Sequence, residues 1–403
     1  MSETFKGSFT QQESISEAAI EAGVAVMRHG RLHRYNTQAD EAGEVALLEQ
    51  EFAAFLGVKF CLAVASGGYA LACALRAHGV RPGEPVLTNA FTLAPVPGAI
   101  ASLGAVPVFV ETNAALSLDF HHLETQIRAS GAKILMLSHM RGHQPDMARV
   151  LAICGAHQVQ VIEDCAHTMG GSWGGQPSGT HGLSACFSTQ TYKHLNSGEG
   201  GFFVTNDPDI AARAILLSGS YMLYYRHIAA PGPQHFAAIE GDVPNISGRM
   251  DNLRAAILRP QLADLPAQVS RWSALHSAVS QGLKETPGLA LITPDPGAVR
   301  VGSSFQFLLS GWRPENVQAV VARCGGRGVE LKWFGADQAA GYTSRYDHWA
   351  YANPPHLPMT DRVLAGLVDM RLPLTFSTDD AQQIARIIRA EVGAVFQQSN
   401  AKG

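Results

Sequence analysis

Between residues 44 and 56 the apolar positions Val45, Leu48, Phe52 and Phe55 recur at helical spacing, and Gly57 supplies a natural stop. A regular alternation follows. Short β-like apolar runs at 61–65, 86–88, 106–110, 134–138, 159–162, 185–188 and 202–205 are separated by segments long enough for helices. Between the earlier runs the helix candidates are 70–76, 97–103, 123–129 and 147–156. This pattern predicts an α/β fold with a mostly parallel sheet between helices and ligand loops at the carboxyl ends of the strands.

The periodicity fails over 225–248, a stretch that holds Pro231, Pro233 and Pro244. Beyond it, residues 249–282 read as a long helical segment interrupted near Pro260 and Pro266, and strand and helix candidates alternate again at 304–309, 314–323, 360–369 and 378–392. The predicted organisation is an N-terminal arm (1–36), a large domain (37–248) and a smaller α/β C-terminal domain (249–403). There is no internal repeat and no low-complexity tract.

With 46% hydrophobic and 16% charged residues over 403 positions, the chain has ample material for a buried core and is too apolar for disorder. A net charge of −4 and a pI near 6.5 give no electrostatic case for nucleic acid or an anionic membrane as partner. The uncharged stretch 85–110 is long enough to span a bilayer. It carries Pro85, Pro95, Pro97 and Pro107, however, and reads as strand, short helix, strand. The first twenty residues place acids early and have no unbroken apolar core, so no secretory signal is predicted and a cytoplasmic location is expected. Six cysteines without CxxC pairs fit reduced, buried thiols. His139 and His143 have the spacing of a helical ligand pair, but they follow a strand and bracket a glycine ahead of a proline, so no metal site is expected. The 40 glycines, about one residue in ten against an average of ~7%, matter more: many fall just after the apolar runs.

Three such segments carry candidate chemistry. Ser66-Gly67-Gly68-Tyr69 lies between the run CLAVA and the helix ALACALRA, where backbone amides and a helix N-terminus suit a phosphate; a plain turn is the alternative. Asp164, in EDCAH after VQVI, can hold the protonated nitrogen of a heteroaromatic ring, or simply cap a helix. Lys193 sits in the uncharged STQTYK segment ahead of the cluster Gly198 to Gly201; it is either a buried amine able to form a Schiff base or a solvated surface lysine.

Taken in order, these segments resemble the DegT/DnrJ/EryC1 family of pyridoxal-phosphate-dependent aminotransferases, which have the type I fold and act on keto-sugars and cyclitols. The resemblance runs from LEQEFAAFLGV through SGGYAL, RPGEPVLTNAFTLAPVPGAI, GAVPVFVE, SHMRGHQPDM, VIEDCAHTMGGSWGG, STQTYKHLNSGEGGFFVT and GRMDNLRAAIL to LPLTFSTDDAQQIARII. It implies that Lys193 forms the Schiff base with pyridoxal 5′-phosphate and shuttles the proton. Asp164 would pair with the ring nitrogen, and His167 would lie by the ring. Ser188 and the amides of Gly68 and Tyr69 would bind the phosphate, Gly67 and Gln190 would also contact the cofactor, Leu93 would pack on the ring, and Ser247 and Arg249 of a second subunit would complete the site of a homodimer. The expected partners are a small keto substrate and glutamate or glutamine as donor.

The chain departs from the family pattern in three places. Gly68 stands where Thr is common, Leu93 where an aromatic is usual, and Ser247-Gly248-Arg249-Met250 where many members have Asn before an aromatic and Arg-Met. SHMRGHQPDM and SGRMDNLRAAILRPQL resemble members that aminate ketocyclitols, whereas a nucleotide-sugar would find Arg226, His227, Lys332 and Trp333 available. A dehydrating or eliminating enzyme of the same family is the alternative activity; a regulatory protein that merely keeps the cofactor is a third. Retention of Lys193, which a dehydratase subgroup replaces by histidine, favours transamination.

Overall fold

The computed structural model describes residues 3–38 and 41–400. The chain opens with helices α1 (Glu17–His29) and α2 (Glu44–Leu56). Strand and helix then alternate as β1 (Phe60–Val64), α3 (Gly67–Ala77), β2 (Pro85–Asn89), α4 (Pro95–Ser102), β3 (Val106–Val110), α5 (Phe120–Ser130), β4 (Ile134–Ser138), α6 (Met147–Ala156) and β5 (Gln160–Asp164). A small hairpin, β6 (Ser172–Trp173) and β7 (Gln176–Pro177), precedes β8 (Ser184–Ser188), β9 (Gly201–Thr205) and α7 (Pro208–Leu217).

Seven of these strands form one sheet in the order β1-β9-β8-β5-β4-β2-β3, and only β9 runs against its neighbours. Strands β4, β8 and β9 are buried along their whole length, which is why they read as unbroken apolar runs rather than alternating ones. The parallel strands all end on one edge of the sheet. That edge gathers Ser66, Ser138, Asp164 and Ser188, far apart in sequence, at the site described below.

The irregular stretch beyond α7 holds a 3-10 turn (Tyr224–Arg226) and the short α8 (Gln234–Ala237) before α9 (Asn252–Leu283), followed by β10 (Ala290–Leu291), β11 (Ala298–Val299), β12 (Ser304–Leu308), α10 (Pro314–Gly326), β13 (Lys332–Trp333), α11 (Pro358–Gly366), β14 (Leu367–Arg371) and α12 (Thr378–Asn400). A second, antiparallel sheet has the order β10-β12-β14-β13. Strand β11 pairs instead with β6, so the two halves of the chain share a third small sheet.

Two expectations change. The predicted interruption near Pro260 and Pro266 is absent: α9 is a single helix of 32 residues with both prolines inside it. Each proline removes one helical hydrogen bond, but α9 packs against α1, α2 and α12, and the Gln261 side-chain amide donates to the Ile257 carbonyl beside the first proline. The predicted element at 360–369 divides into α11 and β14. Gly366 sits at the junction, where a Cβ would come within 2.7 Å of the Leu309 carbonyl oxygen, so only glycine lets the chain turn into the sheet there.

The main hydrophobic core crosses residue 248 without a break. It runs from Phe5 and Phe9 through Phe52, Phe187 and Phe202 to Leu258, Phe307, Ile384 and Val395. Phe52 stacks on Phe202 with ring centroids 4.0 Å apart. The N-terminal arm is part of this core: Phe5 and Phe9 each meet Phe376 edge-on at 5.0 Å, and α1 lies along α9. The opposite face of the large sheet is covered by α3, α4 and α7 through Leu71, Ile100 and Ile215. Among the described residues no helix is long and apolar enough to cross a membrane.

Candidate active site

The carboxyl ends of β4 and β5 place Ser138 and Asp164 side by side as register partners. Ser138 Oγ donates to Asp164 Oδ2 at 2.7 Å, and the Ala166 amide donates to Oδ1 at 3.2 Å. Two donors from two segments thus fix the orientation of a buried carboxylate. Glu163, on the other face of the strand, is engaged differently. It accepts from His139 Nε2 at 2.9 Å and from the amides of Gly179, His181 and Gly182. Burial pushes its pKa up, but these donors outweigh burial and hold it well below the usual carboxylate range. His139, Glu163 and Cys165 offer ligand atoms within 4.8 Å of one another; Glu163 spends its lone pairs anchoring the 179–182 loop instead. His139 and His143 themselves diverge, the latter meeting Gln306 Oε1 at 2.9 Å.

Helix α3 begins directly after β1. Ser66 caps it, its Oγ accepting the Tyr69 amide at 3.0 Å. A Cβ at Gly67 would lie 2.7 Å from Ser188 Cβ, so the missing side chain lets the helix end press against β8. At Gly68 the nearest atoms to such a Cβ are 4.0 Å away. The Gly67 and Gly68 amides carry no hydrogen bond among the described residues, whereas the Tyr69 amide is taken by Ser66. The donors available to an anion are therefore Gly67 and Gly68, not Gly68 and Tyr69. The Tyr69 hydroxyl braces the irregular stretch instead, 2.8 Å from the Ile246 carbonyl and 3.1 Å from that of Leu217.

Gly67, Gly68, Leu93, Asp164, His167, Ser188 and Lys193 line one cleft. Lys193 Nζ is 3.1 Å from His167 Nε2. Burial lowers the Lys193 pKa to about 7; the positive charges of Arg141 and Arg371 act in the same direction, and Asp164 partly opposes them. His167 is pushed well below its ordinary value by burial and then by the charge of Lys193, so it faces the amine as a neutral ring. His194 falls to about 3, through burial first and Lys193 second.

Four of the expected site residues lie outside the cleft of this chain: Tyr69, engaged as described above, and Gln190, Ser247 and Arg249. Gln190 Oε1 accepts the Tyr192 amide at 3.0 Å and shapes the turn that carries Lys193. Ser247 is exposed, and Arg249 donates to the Gly219 carbonyl at 2.6 Å, on a segment that runs beside β1. Conversely, Ser138, Arg141 and Arg371 were not singled out from the sequence. Ser138 had a signal, since it ends one predicted strand and Asp164 lies just after the next; Arg371 had none, because β14 arrives some 180 residues after Lys193 in the chain.

A flat heteroaromatic ring carrying a phosphate fits this set of groups. The free amides at the start of α3 and Ser188 Oγ suit the phosphate, a fixed carboxylate suits a protonated ring nitrogen, and a neutral-leaning amine suits an aldehyde.

The sequence pattern of the DegT/DnrJ/EryC1/StrS aminotransferase family matches residues 14–389. The putative L-glutamine:3-amino-2,3-dideoxy-scyllo-inosose aminotransferase of Micromonospora echinospora is 29% identical over 78% of this chain and 77% of its own length. The UDP-2-acetamido-2-deoxy-3-oxo-D-glucuronate aminotransferase of Pseudomonas aeruginosa is 30% identical over 78% of this chain and 82% of its own. Among solved structures, that of 3-amino-5-hydroxybenzoic acid synthase superposes with a TM-score of 0.78 at 26% identity, covering 96% of this chain and 99% of that one. The α/β architecture is that of the type I pyridoxal-phosphate enzymes, and the chain belongs to the DegT/DnrJ/EryC1/StrS family of aminotransferases.

Proposed function

We propose that this aminotransferase uses pyridoxal 5′-phosphate to pass an amino group from glutamate or glutamine to the ketone of a sugar or ketocyclitol. The observation that carries this reading is the meeting of Lys193, Asp164 and the Gly67 and Gly68 amides in one cleft, with the lysine pKa near 7. The bound cofactor supplies an electron sink for the carbon that exchanges a proton. The protein's part is placement and proton transfer. Lys193, its pKa drawn down to about 7 chiefly by burial, would take up and return the proton of the donor carbon at its Nζ. Neutral His167 orients the Lys193 amine from 3.1 Å. Asp164, fixed by Ser138 and the Ala166 amide, keeps a negative charge where a ring nitrogen holds its proton. Ser188 and the α3 amides would hold the phosphate, and Leu93 would pack on the ring face.

Ser247 and Arg249 point to a second copy of the chain: neither reaches this chain's own cleft, and Ser247 lies on an exposed segment flanked by the exposed Ile246. A homodimer with shared sites accounts for both. The test is a half-reaction. Holoenzyme mixed with glutamate or glutamine alone is expected to convert the cofactor absorbance to that of the pyridoxamine form, and Lys193→Ala to abolish the conversion. Bound cofactor with no conversion by any amino donor would favour the eliminating chemistry instead.

A further inference from the structure

We infer that the groove between the N-terminal arm and α9 holds the ring hydroxyls of the keto acceptor, read by Gln12 and Gln268, and that this acceptor is a polyol ring without a nucleotide; this rests on the aminotransferase reading above. On α9, Gln261, Asp264, Gln268 and Trp272 follow at steps of three and four and so share one face of the helix. They line a groove together with Gln12 and His194. Another cavity shares Gln12 and Trp272 with this groove and His167 with the cofactor cleft, and Lys193 lines all three. The groove is thus continuous with the space beside the reactive amine.

Most polar side chains buried in a fold find partners within it, and part of this groove conforms. Gln261 is spent on the backbone of Asn196, accepting from its amide and donating to its carbonyl, and Trp272 Nε1 donates to the Leu372 carbonyl at 3.0 Å. The side chains of Gln12, Asp264 and Gln268, by contrast, have no hydrogen bond or ion pair among the described residues. His194 is 4% exposed and meets Ser303 Oγ through Nε2 at 2.9 Å, yet its Nδ1 is buried without a partner. Two carboxamides, each both donor and acceptor, beside a carboxylate and an imidazole nitrogen are suited to a row of hydroxyls, which also donate and accept.

Gln12 is held in place from both sides. Phe9 docks on Phe376, Glu13 pairs with Arg271 in a fork at 2.6 and 2.9 Å, Arg271 also donates to the Leu374 carbonyl, and Ser16 caps α1. The arm therefore presents the Gln12 carboxamide on a fixed backbone, which lowers the cost of ordering it around a ligand. Charge sets the class of that ligand. Apart from Lys193, whose amine is drawn toward neutrality, no lysine or arginine among the described residues lines the groove, and Asp264 is an unpaired carboxylate there. A diphosphate would meet like charge and no counter-ion; an uncharged polyol meets neither penalty.

The test separates acceptor from donor. Protein loaded with pyridoxamine phosphate is titrated with an inosose while the return of the aldehyde-form absorbance is followed, and the reaction with glutamate or glutamine is measured separately. Gln12→Ala and Gln268→Ala are each expected to raise the half-saturating inosose concentration roughly three- to tenfold, the range for one lost neutral hydrogen bond, with donor half-saturation changed far less. Asp264→Asn should narrow the preference for the inosose over a nucleotide-linked keto-sugar. Calorimetry with myo-inositol, which has no ketone, should show the same losses of affinity, and circular dichroism reports that the variants are folded. Unchanged inosose half-saturation in both glutamine variants, equal losses for donor and acceptor, or a wild-type preference for the nucleotide-linked keto-sugar overturns the inference. If the wild-type protein reacts with no amino donor, it is the aminotransferase reading that fails, and the inositol titration still decides whether the groove binds a polyol.

Discussion

Gly67 and Gly68 are adjacent, both precede an apolar helix, and both lack a side chain, yet adding one methyl group to each should have opposite consequences. At Gly67 the new Cβ would sit 2.7 Å from Ser188 Cβ and 3.1 Å from its Oγ, where ordinary contact begins at 3.4 Å. Strand β8 is buried along its length, so the start of α3 must yield, by about 0.7 Å. A hydrogen bond of about 2.9 Å lengthened by that much passes the limit of useful geometry. Two amides would lose a charged acceptor worth roughly 1.5–3 kcal/mol each. Even with partial relaxation, Gly67→Ala should weaken pyridoxal phosphate binding at least ~100-fold, or about 2.7 kcal/mol. At Gly68 the nearest atoms are 4.0 Å away, and the alanine gains roughly 0.5–1 kcal/mol of helix propensity. Gly68→Ala should bind within about threefold of wild type. The assay is absorbance titration of cofactor-free protein, with circular dichroism to show both variants folded. Equal dissociation constants for the two variants would refute the placement of the phosphate at the start of α3.

Three further outcomes follow from the same geometry. With its pKa near 7 against an ordinary 10.5, Lys193 binds fewer protons in the folded than in the unfolded chain between those values, so cofactor-free stability attributable to it rises with pH across that window. Lys193→Met should raise the urea midpoint of the cofactor-free protein at pH 7, by an amount that shrinks toward pH 10; a constant difference across that range refutes the assignment. Ser138→Ala removes one of the two donors to Asp164 and should lower the half-reaction rate roughly tenfold, with Asp164→Asn costing more; equal rates in Ser138→Ala and wild type would exclude the positioning role. Arg34 and Glu49 form a bidentate pair at 2.9 Å with side chains 1% and 0% exposed, and although burial opposes it, Arg34 and His227 bring the Glu49 pKa down to about 2. Glu49→Gln strands a buried charge and should cost roughly 3–5 kcal/mol by denaturant titration at pH 7. The stability Glu49 supplies is complete above pH 4.5 and is lost as the pH falls toward 2, so the gap between variant and wild type should narrow in acid.

The large sheet was legible because its strands are buried on both faces. A run such as ILMLS leaves little choice of conformation once helices must cover each side, and β4 spans the predicted residues. Gly67, Asp164 and Lys193 were also legible, each lying just after such a run. Their surroundings were less so. The Tyr69 amide satisfies Ser66, a local competition that composition does not reveal. Pro260 and Pro266 looked like breaks because the tertiary contacts holding α9 straight come from α1 and α12, more than 100 residues away in either direction. Arg371 reaches Tyr192 from the end of β14, a strand of the second sheet far along the chain, and no local pattern records that.

The docking of residues 3–9 beside Phe376 and α12 has a consequence for biosynthesis. Phe5 and Phe9 pack on Phe376, the Phe5 amide donates to the Arg327 carbonyl at 2.8 Å, and Glu3 pairs with Arg386. Residues 3–9 leave the ribosome more than 360 residues ahead of Phe376 and Arg386. Until then one face of the large sheet, with Phe187 and Phe202, waits for α9 and α12 to cover it, and the nascent chain carries an open apolar surface through most of translation.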